Sequence, residues 1–520
     1  MSVRRVVGPF NRVEGDLEIT LDIDDGRVAA AYVNSPLDRG FEQILQGKLP
    51  ADALVLVPRI CGICSVAQSA AAALALADAA GATPPPNGRL AANLTLAVEN
   101  LADHLTHFYL FFMPDFAREE YKSRRWHHGA AQRFRATAGS APDEVLPARA
   151  RFMQMMGLLA GKWPHTLAVQ PGGSTRPLQS SELFRLQRSL REFRGFLERV
   201  TFGARLEDVA AIASRQQLDA WRAQAGGGDL RTFLDIAADL DLWQVGRGSD
   251  RFMSYGCYQE QDRRLFPAGL WHGGALPLDI AGISEDTSHA WYAAAGLPQH
   301  PAAGSTLPVA AKEGAYSWCK APRLAGQVVE TGALARQVVA GHALARDMVA
   351  GSGASVAARV VARLLELALV LPAMEHWLGE LAPGQPWCIT SQLADETAGV
   401  GLVEAARWRG CAGRAGTGAG GPAGRRRGAA AGDHPPRRAQ FRPLHGVYGA
   451  LRPSARGWKI DQRSESRHAK KVMFAAPVCA GPGWIRVKLR TCGKGAEKRL
   501  AWRLRSLMFF RLDVKIVPLF

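Results

Sequence analysis

The sequence predicts an α+β fold that is predominantly helical, with a small β region at its N-terminus. Apolar and polar residues alternate over 17–23, and Asp25-Gly26 is a hairpin signal after which the alternation resumes. Apolar residues at helical spacing recur further along the chain, over residues 69–80, 90–113, 183–200, 324–344 and 356–381. We therefore expect an antiparallel hairpin followed by a helical body.

The basic charge of this 520-residue chain is concentrated near its C-terminus. The net charge is +17, yet residues 408–520 hold 25 of the 64 Lys and Arg residues and only 5 of the 47 acidic ones. The remainder carries a net charge of −3, so it does not show the basic surplus of a nucleic-acid-binding protein. Nucleic acid is therefore not the partner that the main body of the chain predicts.

Cysteine use and hydropathy indicate the cellular setting. No apolar run approaches the roughly 18 residues that a membrane span requires, and no apolar segment of a signal peptide follows Arg4 and Arg5. The 8 cysteines include one close pair, which argues against a disulfide framework and favours a reducing compartment. We expect a cytoplasmic protein without a membrane span.

Composition divides the chain into residues 1–407 and 408–520. Between Trp408 and Ala450, Gly, Ala, Arg and Pro account for 32 of 43 residues, and hydrophobic periodicity is lost. These four residue types have GC-rich codons, so we interpret 408–520 as sequence translated in a wrong reading frame that begins close to Arg407. The alternative is a natural disordered basic tail that binds nucleic acid or an acidic partner.

Two cysteines, Cys61 and Cys64, lie three residues apart at the start of an alanine-rich helical segment. Ser65 and Gln68 have the spacing of a capping box, which places the thiols at the positive end of a helix. Such a position lowers the pKa of a thiol and favours the thiolates that bind soft metals. A redox dithiol and half of a zinc site are the alternatives that this motif allows.

Several acidic and histidine residues are candidates whose meaning depends on the rest of the chain. Glu14 precedes the first strand and Glu42 opens a short helix, although both positions are commonly solvated. Asp103 and His107 share a helix face because they are four residues apart, with His104 beside them. This trio fits a hydrogen-bonded core network as well as a set of ligands.

Seven motifs, taken in their order along the chain, resemble the large subunit of [NiFe] hydrogenases. They are Arg-Val-Glu-Gly, Arg-Gly-Phe-Glu, Arg-Ile-Cys-Gly-Ile-Cys, Asp-His-Leu-Thr-His-Phe-Tyr, Pro-His, Ala-Pro-Arg and Glu-Ala-Ala-Arg. The resemblance covers residues 4 to 407 and implies that family's large-subunit fold. It also implies heterolytic splitting of H2 at a nickel–iron centre whose iron carries CO and cyanide. An iron–sulfur small subunit would take the electrons, and hydrogenase maturation proteins would assemble the centre.

The resemblance also implies roles for individual residues. Cys61 would be a terminal nickel ligand and Cys64 a ligand that bridges nickel and iron. Glu14 would carry the proton, and Glu42 would ligate magnesium, a cation that prefers oxygen. The remaining candidates would surround the bimetallic centre: Arg407 over its open face, and Asp103, Gln68, His104 and His107 in the outer shell.

Gln68 is one departure from the family pattern, because most catalytic members have a histidine four residues after the second cysteine. Glutamine there, with Ser65 before it, resembles the regulatory, H2-sensing branch, which signals to a histidine kinase. The alternative is that Gln68 only closes the capping box. Two further interpretations remain open. One is a catalytic uptake hydrogenase. The other is a non-catalytic relative such as the quinone-site subunit of complex I, although the presence of the two cysteines argues against it.

The C-terminal cysteine motif of the family is a second departure. The other two nickel cysteines of the family lie in an Asp-Pro-Cys-x-x-Cys-x-x-His motif, whose histidine completes the magnesium site. Cys411, Cys479 and Cys492 each lack a partner at that spacing. We therefore expect that this chain, as written, does not assemble the complete centre.

Overall fold

A computed structural model describes residues 2–8, 17–293, 296–304, 306–393, 397–406, 412–416 and 442–443. The chain begins with a three-stranded antiparallel sheet of β1 (Ser2–Val7), β2 (Glu18–Asp24) and β3 (Arg27–Asn34), with β2 in the middle. Asp25 and Gly26 both have positive φ, as a two-residue hairpin turn between paired Asp24 and Arg27 requires. The predicted hairpin is confirmed.

Helices form most of the remaining structure. They are α1 (Phe41–Leu45), α2 (Ala53–Leu56), α3 (Ser65–Ala79), α4 (Pro86–Thr106), α5 (His127–Phe134), α6 (Ala141–Met153), α7 (Met155–Ala160), α8 (Ser180–Phe196), α9 (Leu206–Ala210), α10 (Arg215–Ala223), α11 (Asp229–Asp239), α12 (Ala333–Ala340), α13 (Ala343–Ser352) and α14 (Val356–Glu380). Short 3₁₀ turns span Pro50–Asp52, Val57–Ile60, Met113–Ala117, Glu119–Tyr121 and Ile280–Gly282, and π-helical turns span His107–Phe112 and Leu197–Phe202. No described helix has the length and apolar character that crossing a bilayer would need.

The other strands form small antiparallel sheets. They are β4 (Val169–Gln170), β5 (Gly173–Ser174), β6 (Phe252–Glu260), β7 (Arg263–Trp271), β8 (Ala275–Leu276), β9 (Ile283–Asp286), β10 (Ala321–Leu324), β11 (Ala398–Leu402), β12 (Ala412–Gly416) and β13 (Arg442–Pro443). Strands β4 with β5, β9 with β10, β6-β7-β8 and β11-β12-β13 pair in these groups. The predicted α+β class, predominantly helical, is confirmed.

The centre of the main hydrophobic core is the contact between the two longest helices, α4 and α14. Leu94 and Leu101 on α4 and Leu364 and Leu371 on α14 are completely buried. Helix α14 begins where the Ser355 hydroxyl accepts a hydrogen bond from the backbone N–H of Ala358, which caps the helix. This pair of helices places the candidate residues of α4 inside the core.

Helix α3 contacts strand β11 at unusually short range. A Cβ atom at Gly399 would overlap the backbone of Ala75 and Ala79, and one at Gly401 would overlap the backbone of Ala71 and Ala75, so the approach requires the glycines of β11. The contact brings the residues that follow β11 towards the start of α3, where the cysteines lie.

The helix predicted over residues 324–344 is wrong in its first part. Strand β10 ends at Leu324, and the chain then turns at Ala325 and Gly326, both with positive φ. Leu324 and Gln327 exchange backbone hydrogen bonds across this turn. Helix α12 begins only after Gly332, because the glycines interrupt the apolar pattern.

Candidate functional site

The thiol loop, residues 58–65, carries both cysteines between two ordered elements. Cys61 follows the turn Val57–Ile60 in an extended conformation, and Cys64 is the N-cap residue of α3. The Cys61 side chain is buried, whereas Cys64 is partly exposed. The sequence correctly predicted that α3 begins at Ser65, directly after the second thiol.

A carboxylate from α4 caps the thiol helix. Glu99 accepts hydrogen bonds from the backbone N–H groups of Val66 at 3.0 Å and Ala67 at 3.1 Å. It also accepts from the Ser65 hydroxyl at 3.3 Å and from the Trp163 indole N–H at 2.8 Å. Burial raises the pKa of Glu99 to about 7, although these donors favour its charged form. The predicted capping box of Ser65 and Gln68 is therefore wrong: neither side chain caps the helix.

The segment 163–165 contacts the thiol loop from the opposite direction. The backbone N–H of His165 donates to the Ser65 hydroxyl at 3.3 Å. The Nδ1 atom of His165 lies 3.0 Å from the carbonyl oxygen of Pro58. The Pro-His motif of the sequence thus contacts both ends of the thiol loop.

A cavity of about 40 Å³ adjoins the loop. Ile63, between the two cysteines, lines it together with Glu99, Asp103 and Arg149. The Arg149 guanidinium donates to the Thr106 hydroxyl at 2.8 Å, and burial lowers the pKa of Arg149. The cavity has room for a small number of water molecules and is lined by both Asp103 and a residue of the thiol loop.

Gln68 lies one turn after Cys64 on α3 and is buried. Within the described part of the chain, its Oε1 atom is buried and has no hydrogen-bond partner. A buried amide oxygen without a partner is uncommon, because leaving it unsatisfied costs free energy. Gln68 therefore has no capping function that would account for its presence.

Glu42 belongs to a separate buried cluster of charges. The Lys320 ammonium lies 2.8 Å from Glu42 and 2.7 Å from Glu285, and all three side chains are at most 7% exposed. Burial disfavours the charged ammonium, but the two carboxylates raise the pKa of Lys320 above its ordinary value.

His104 points into the α4–α14 core. Its Nε2 atom lies 3.1 Å from Glu366, which also accepts from the Arg336 guanidinium at 2.7 Å and 3.0 Å. Arg336 donates to Glu404 at 2.7 Å as well, and the Tyr255 backbone N–H donates to Glu404 at 2.7 Å. All four charged or titratable side chains are essentially inaccessible to solvent.

The other predicted site residues lie apart from this cluster or outside the described residues. The His107 ring stacks on Phe112, with ring centroids 6.0 Å apart. Glu14 and Arg407 fall outside the residues that the structure describes, although Glu404 of the Glu-Ala-Ala-Arg motif is described and buried. Of the predicted residues, Asp103 thus adjoins the thiol loop, whereas Glu42 and His104 belong to two different clusters of charged side chains.

Sequence reasoning missed Glu99, Arg336, Glu366, Lys320 and Glu285. Each is an ordinary charged residue in its local sequence, and its partner lies at least 30 residues away along the chain. Lys320 directly precedes the Ala-Pro-Arg motif, and Glu99 precedes Asp103 by four residues. Their proximity to these motifs could have pointed to both residues from the sequence.

Comparison with known families decides the identity of the chain. The family model described as nickel-dependent hydrogenase matches residues 39–118 and 143–411, which is more than half of the sequence. The chain belongs to this family. The match includes the thiol loop, α4 and the Glu-Ala-Ala-Arg motif.

Named relatives agree with this assignment. This hydrogenase chain is 28% identical over 443 residues to the periplasmic [NiFeSe] hydrogenase large subunit of Desulfomicrobium baculatum, covering 78% of this chain and 80% of the relative. It is 27% identical over 401 residues to the hydrogenase-2 large chain of Escherichia coli K12, covering 64% and 67%. The solved Ni-Fe-Se hydrogenase of D. vulgaris Hildenborough has the same fold, with a TM-score of 0.68, 24% identity and coverage of 86% and 89%.

The donor atoms of this hydrogenase chain fit part of the family's nickel–iron centre. Cys61 and Cys64 provide two soft sulfur donors, which suit nickel. Among the described residues, however, no three His, Cys, Asp or Glu side chains converge to hold a metal ion. The sequence also contains no second cysteine pair at this spacing. The chain as written thus fits one half of the nickel ligand set and does not fit the complete centre.

The Glu42 cluster supplies the oxygen donors that magnesium prefers. Lys320 already contacts one oxygen atom of each carboxylate. The cluster therefore fits a magnesium ion in donor type only.

Proposed function

We propose that this chain is the large subunit of an H2-sensing [NiFe] hydrogenase that binds and heterolytically splits H2 and signals to a histidine kinase. The observation that carries the sensor assignment is Gln68, where most catalytic members have histidine. Gln68 is buried one turn from Cys64 and takes no part in capping α3, which supports a role for its amide beside the thiols.

The proposal assigns roles to the residues that the resemblance identified. Cys61 and Cys64 would hold nickel, as terminal and bridging ligands in the family pattern, and Glu42 would hold magnesium. Glu14 would carry the proton, and Arg407 and Asp103 would supply charge beside the centre. Gln68, His104 and His107 are outer residues. When bound, the centre would supply the heterolytic cleavage of H2, with CO and cyanide on the iron.

The proposed partners are an iron–sulfur small subunit, a sensor histidine kinase and hydrogenase maturation proteins. A separate subunit for the iron–sulfur clusters is required because this sequence has too few cysteines to hold them. We propose a cytoplasmic location on the basis of cysteine use, although one relative is named as periplasmic.

We further propose that residues 1–407 form the hydrogenase domain and that 408–520 result from a shifted reading frame. The loss of hydrophobic periodicity after Arg407 and the missing second cysteine pair support this interpretation. Resequencing the gene tests it directly. A single intact frame without a better-patterned alternative would contradict the frameshift.

The metal content of the purified chain tests the core of the proposal. A version with the reading frame restored after Arg407 should hold nickel and iron and show infrared bands of CO and cyanide, whereas the chain as written should not show those bands. Replacing Cys64 by Ser in the restored version should remove the nickel. If the restored protein holds no nickel, or if Cys64→Ser leaves the metal in place, the proposal is wrong.

Exchange of Gln68 distinguishes the sensor from the uptake alternative. In the restored protein, Gln68→His should raise the rate of H2 oxidation if the glutamine keeps turnover slow. A fast unsubstituted protein that gains nothing from Gln68→His would favour the catalytic uptake hydrogenase.

A further inference from the structure

A surface groove of about 770 Å³ lies between α6 and α8. The two helices pack against each other, and the rings of Phe152 and Phe193 stack with their centroids 3.9 Å apart. Most of the side chains that line the groove are charged, and arginine is the commonest type. The charged lining residues are Asp143, Glu144, Arg151, Arg188, Arg191, Glu192 and Arg199.

The positive charge of the groove is only partly compensated. Glu192 accepts a hydrogen bond from Arg188 at 2.8 Å and lies 4.0 Å from Arg151 on the opposite helix. Within the described part of the chain, no carboxylate pairs with Arg191 or Arg199. All four arginines are exposed. Glu192 thus shows that the groove holds a carboxylate between its two walls, and further arginines remain for others.

The rim of the groove at Glu144 depends on a segment outside the family match. Arg133 donates to Glu144 at 2.5 Å and belongs to residues 119–142, which separate the two matched ranges. Arg133 therefore compensates an acidic side chain of the groove from outside it, so the arginines of the groove do not have to. This dependence favours a role that is particular to this chain over one in the reaction that the family shares.

An exposed aromatic side chain lies on the same helix. Phe184 is 71% exposed and precedes Arg188 by four residues, so the two share a face of α8. Arginine and aromatic residues are enriched in protein–protein interfaces, and arginine binds carboxylates through paired N–H groups. Together, the groove and Phe184 have the composition of a surface that binds an acidic protein segment with an apolar side chain.

We propose that the groove between α6 and α8 is a docking site for an acidic segment of a partner protein. Carboxylates of the partner bind Arg191 and Arg199, and an apolar side chain contacts Phe184. A nucleic acid fits less well, because the three carboxylates of the groove repel a continuous row of phosphates, whereas a protein segment places separate charges between them. The site goes beyond the proposed function and involves none of the residues assigned to the metals.

A photo-crosslinking peptide tests the docking site on the full-length chain. The probe is a short synthetic peptide of glutamates with one benzophenone side chain, and mass spectrometry counts the crosslinks within residues 141–199. Crosslinks to the basic region 408–520 are counted separately. Crosslinking within 141–199 should saturate with peptide concentration and weaken with added salt. Arg191→Glu with Arg199→Glu should raise the half-saturating concentration about tenfold, because two exposed attractions become repulsions.

Two further variants show gain and partial loss of binding. Glu192→Gln removes the carboxylate that competes for Arg188 and Arg151, so the half-saturating concentration should fall about threefold, a gain that misfolding would not produce. Phe184→Ala should raise it about threefold, because the contact with the benzophenone ring is lost.

Arg205→Glu is the matched control, because Arg205 is 73% exposed and is not among the lining residues of the groove. It should leave the half-saturating concentration unchanged. Crosslinks confined to 408–520, or equal effects of Arg205→Glu and the double variant, would overturn the inference. It would also be overturned if an oligodeoxynucleotide of equal charge displaced the probe from 141–199 better than the unlabelled peptide. These outcomes do not depend on nickel, so they are distinct from a failure of the proposed function.

Discussion

Two buried glutamates, Glu99 and Glu366, show how differently one side chain behaves in two regions of this molecule. Both are essentially inaccessible to solvent. Glu99 accepts from neutral donors at the start of α3, and burial raises its pKa to about 7. Glu366 faces the Arg336 guanidinium, which together with His104 outweighs burial and lowers its pKa to about 2.

The comparison teaches that the countercharge, and not burial, determines the sign of the shift. Neutral donors stabilise the Glu99 carboxylate too little to replace its hydration. Glu404 shares Arg336 with Glu366, and burial still keeps its pKa above the ordinary value. The thiol region is thus held by polar contacts, whereas the α4–α14 core is held by an ion cluster.

The largest effect should come from removing the shared cation. Arg336→Met leaves Glu366 and Glu404 buried without their guanidinium, so we expect the free energy of unfolding at pH 7 to fall by about 3–5 kcal/mol. Urea denaturation measures this change. The double variant Arg336→Met with Glu366→Gln should lose less, because one buried charge is removed as well. A loss below about 1 kcal/mol in the single variant would show that the cluster contributes little.

Acid should destabilise the Glu366 region. A folded pKa of about 2 against an ordinary value of 4.5 means that stability is present above pH 4.5 and is lost as the pH falls towards 2. The expected contribution is about 3 kcal/mol. Chemical denaturation across this pH range should show a difference between the unsubstituted chain and Glu366→Gln that shrinks on acidification. A constant difference would argue against ionised Glu366 in the native core.

The contribution of Glu99 to the free energy of unfolding should depend on pH about as strongly as that of Glu366, but in the opposite direction. Its raised pKa means that the stabilising contribution is greatest below pH 4.5 and is lost as the pH rises through about 7. The change amounts to about 3 kcal/mol or less. Between pH 4.5 and 8, Glu99→Gln should therefore gain stability relative to the unsubstituted chain. Parallel stability curves for the two proteins would mean that burial does not penalise the Glu99 charge.

The smallest effect should come from an ion pair nearer the surface. Arg359 and Glu330 lie 2.6 Å apart, but their side chains are 31% and 13% exposed. Arg359→Met should lower the free energy of unfolding by only about 1 kcal/mol, because solvent screens the pair. Comparison with Arg336→Met shows how much more free energy of unfolding is lost when the ion pair that is broken is fully buried. Equal losses in the two variants would remove the contrast between the fully buried and the partly buried ion pair.

The cysteine spacing and the helical pattern after it correctly predicted where α3 begins and that both thiols lie at its N-terminal end. The alternation over residues 17–23 and the Asp25-Gly26 turn correctly predicted the first hairpin. The capping of α3 was predicted wrongly, because Gln68 has the right spacing along the chain but its side chain does not cap the helix. Spacing along the chain indicates which nearby side chains could cap a helix. It cannot show that a side chain from another helix, here Glu99 of α4, binds the same backbone N–H groups instead.

By itself, the sequence determined the family, the element that carries the thiols and the absence of a second close cysteine pair, since all three are properties of residue order. Only the tertiary structure decided that Glu99 caps the thiol helix, that Lys320 contacts Glu42, and that Arg336 joins Glu366 to Glu404. These contacts join residues far apart in the chain, and whether a charge is stabilised depends on the dielectric and the partners that packing provides.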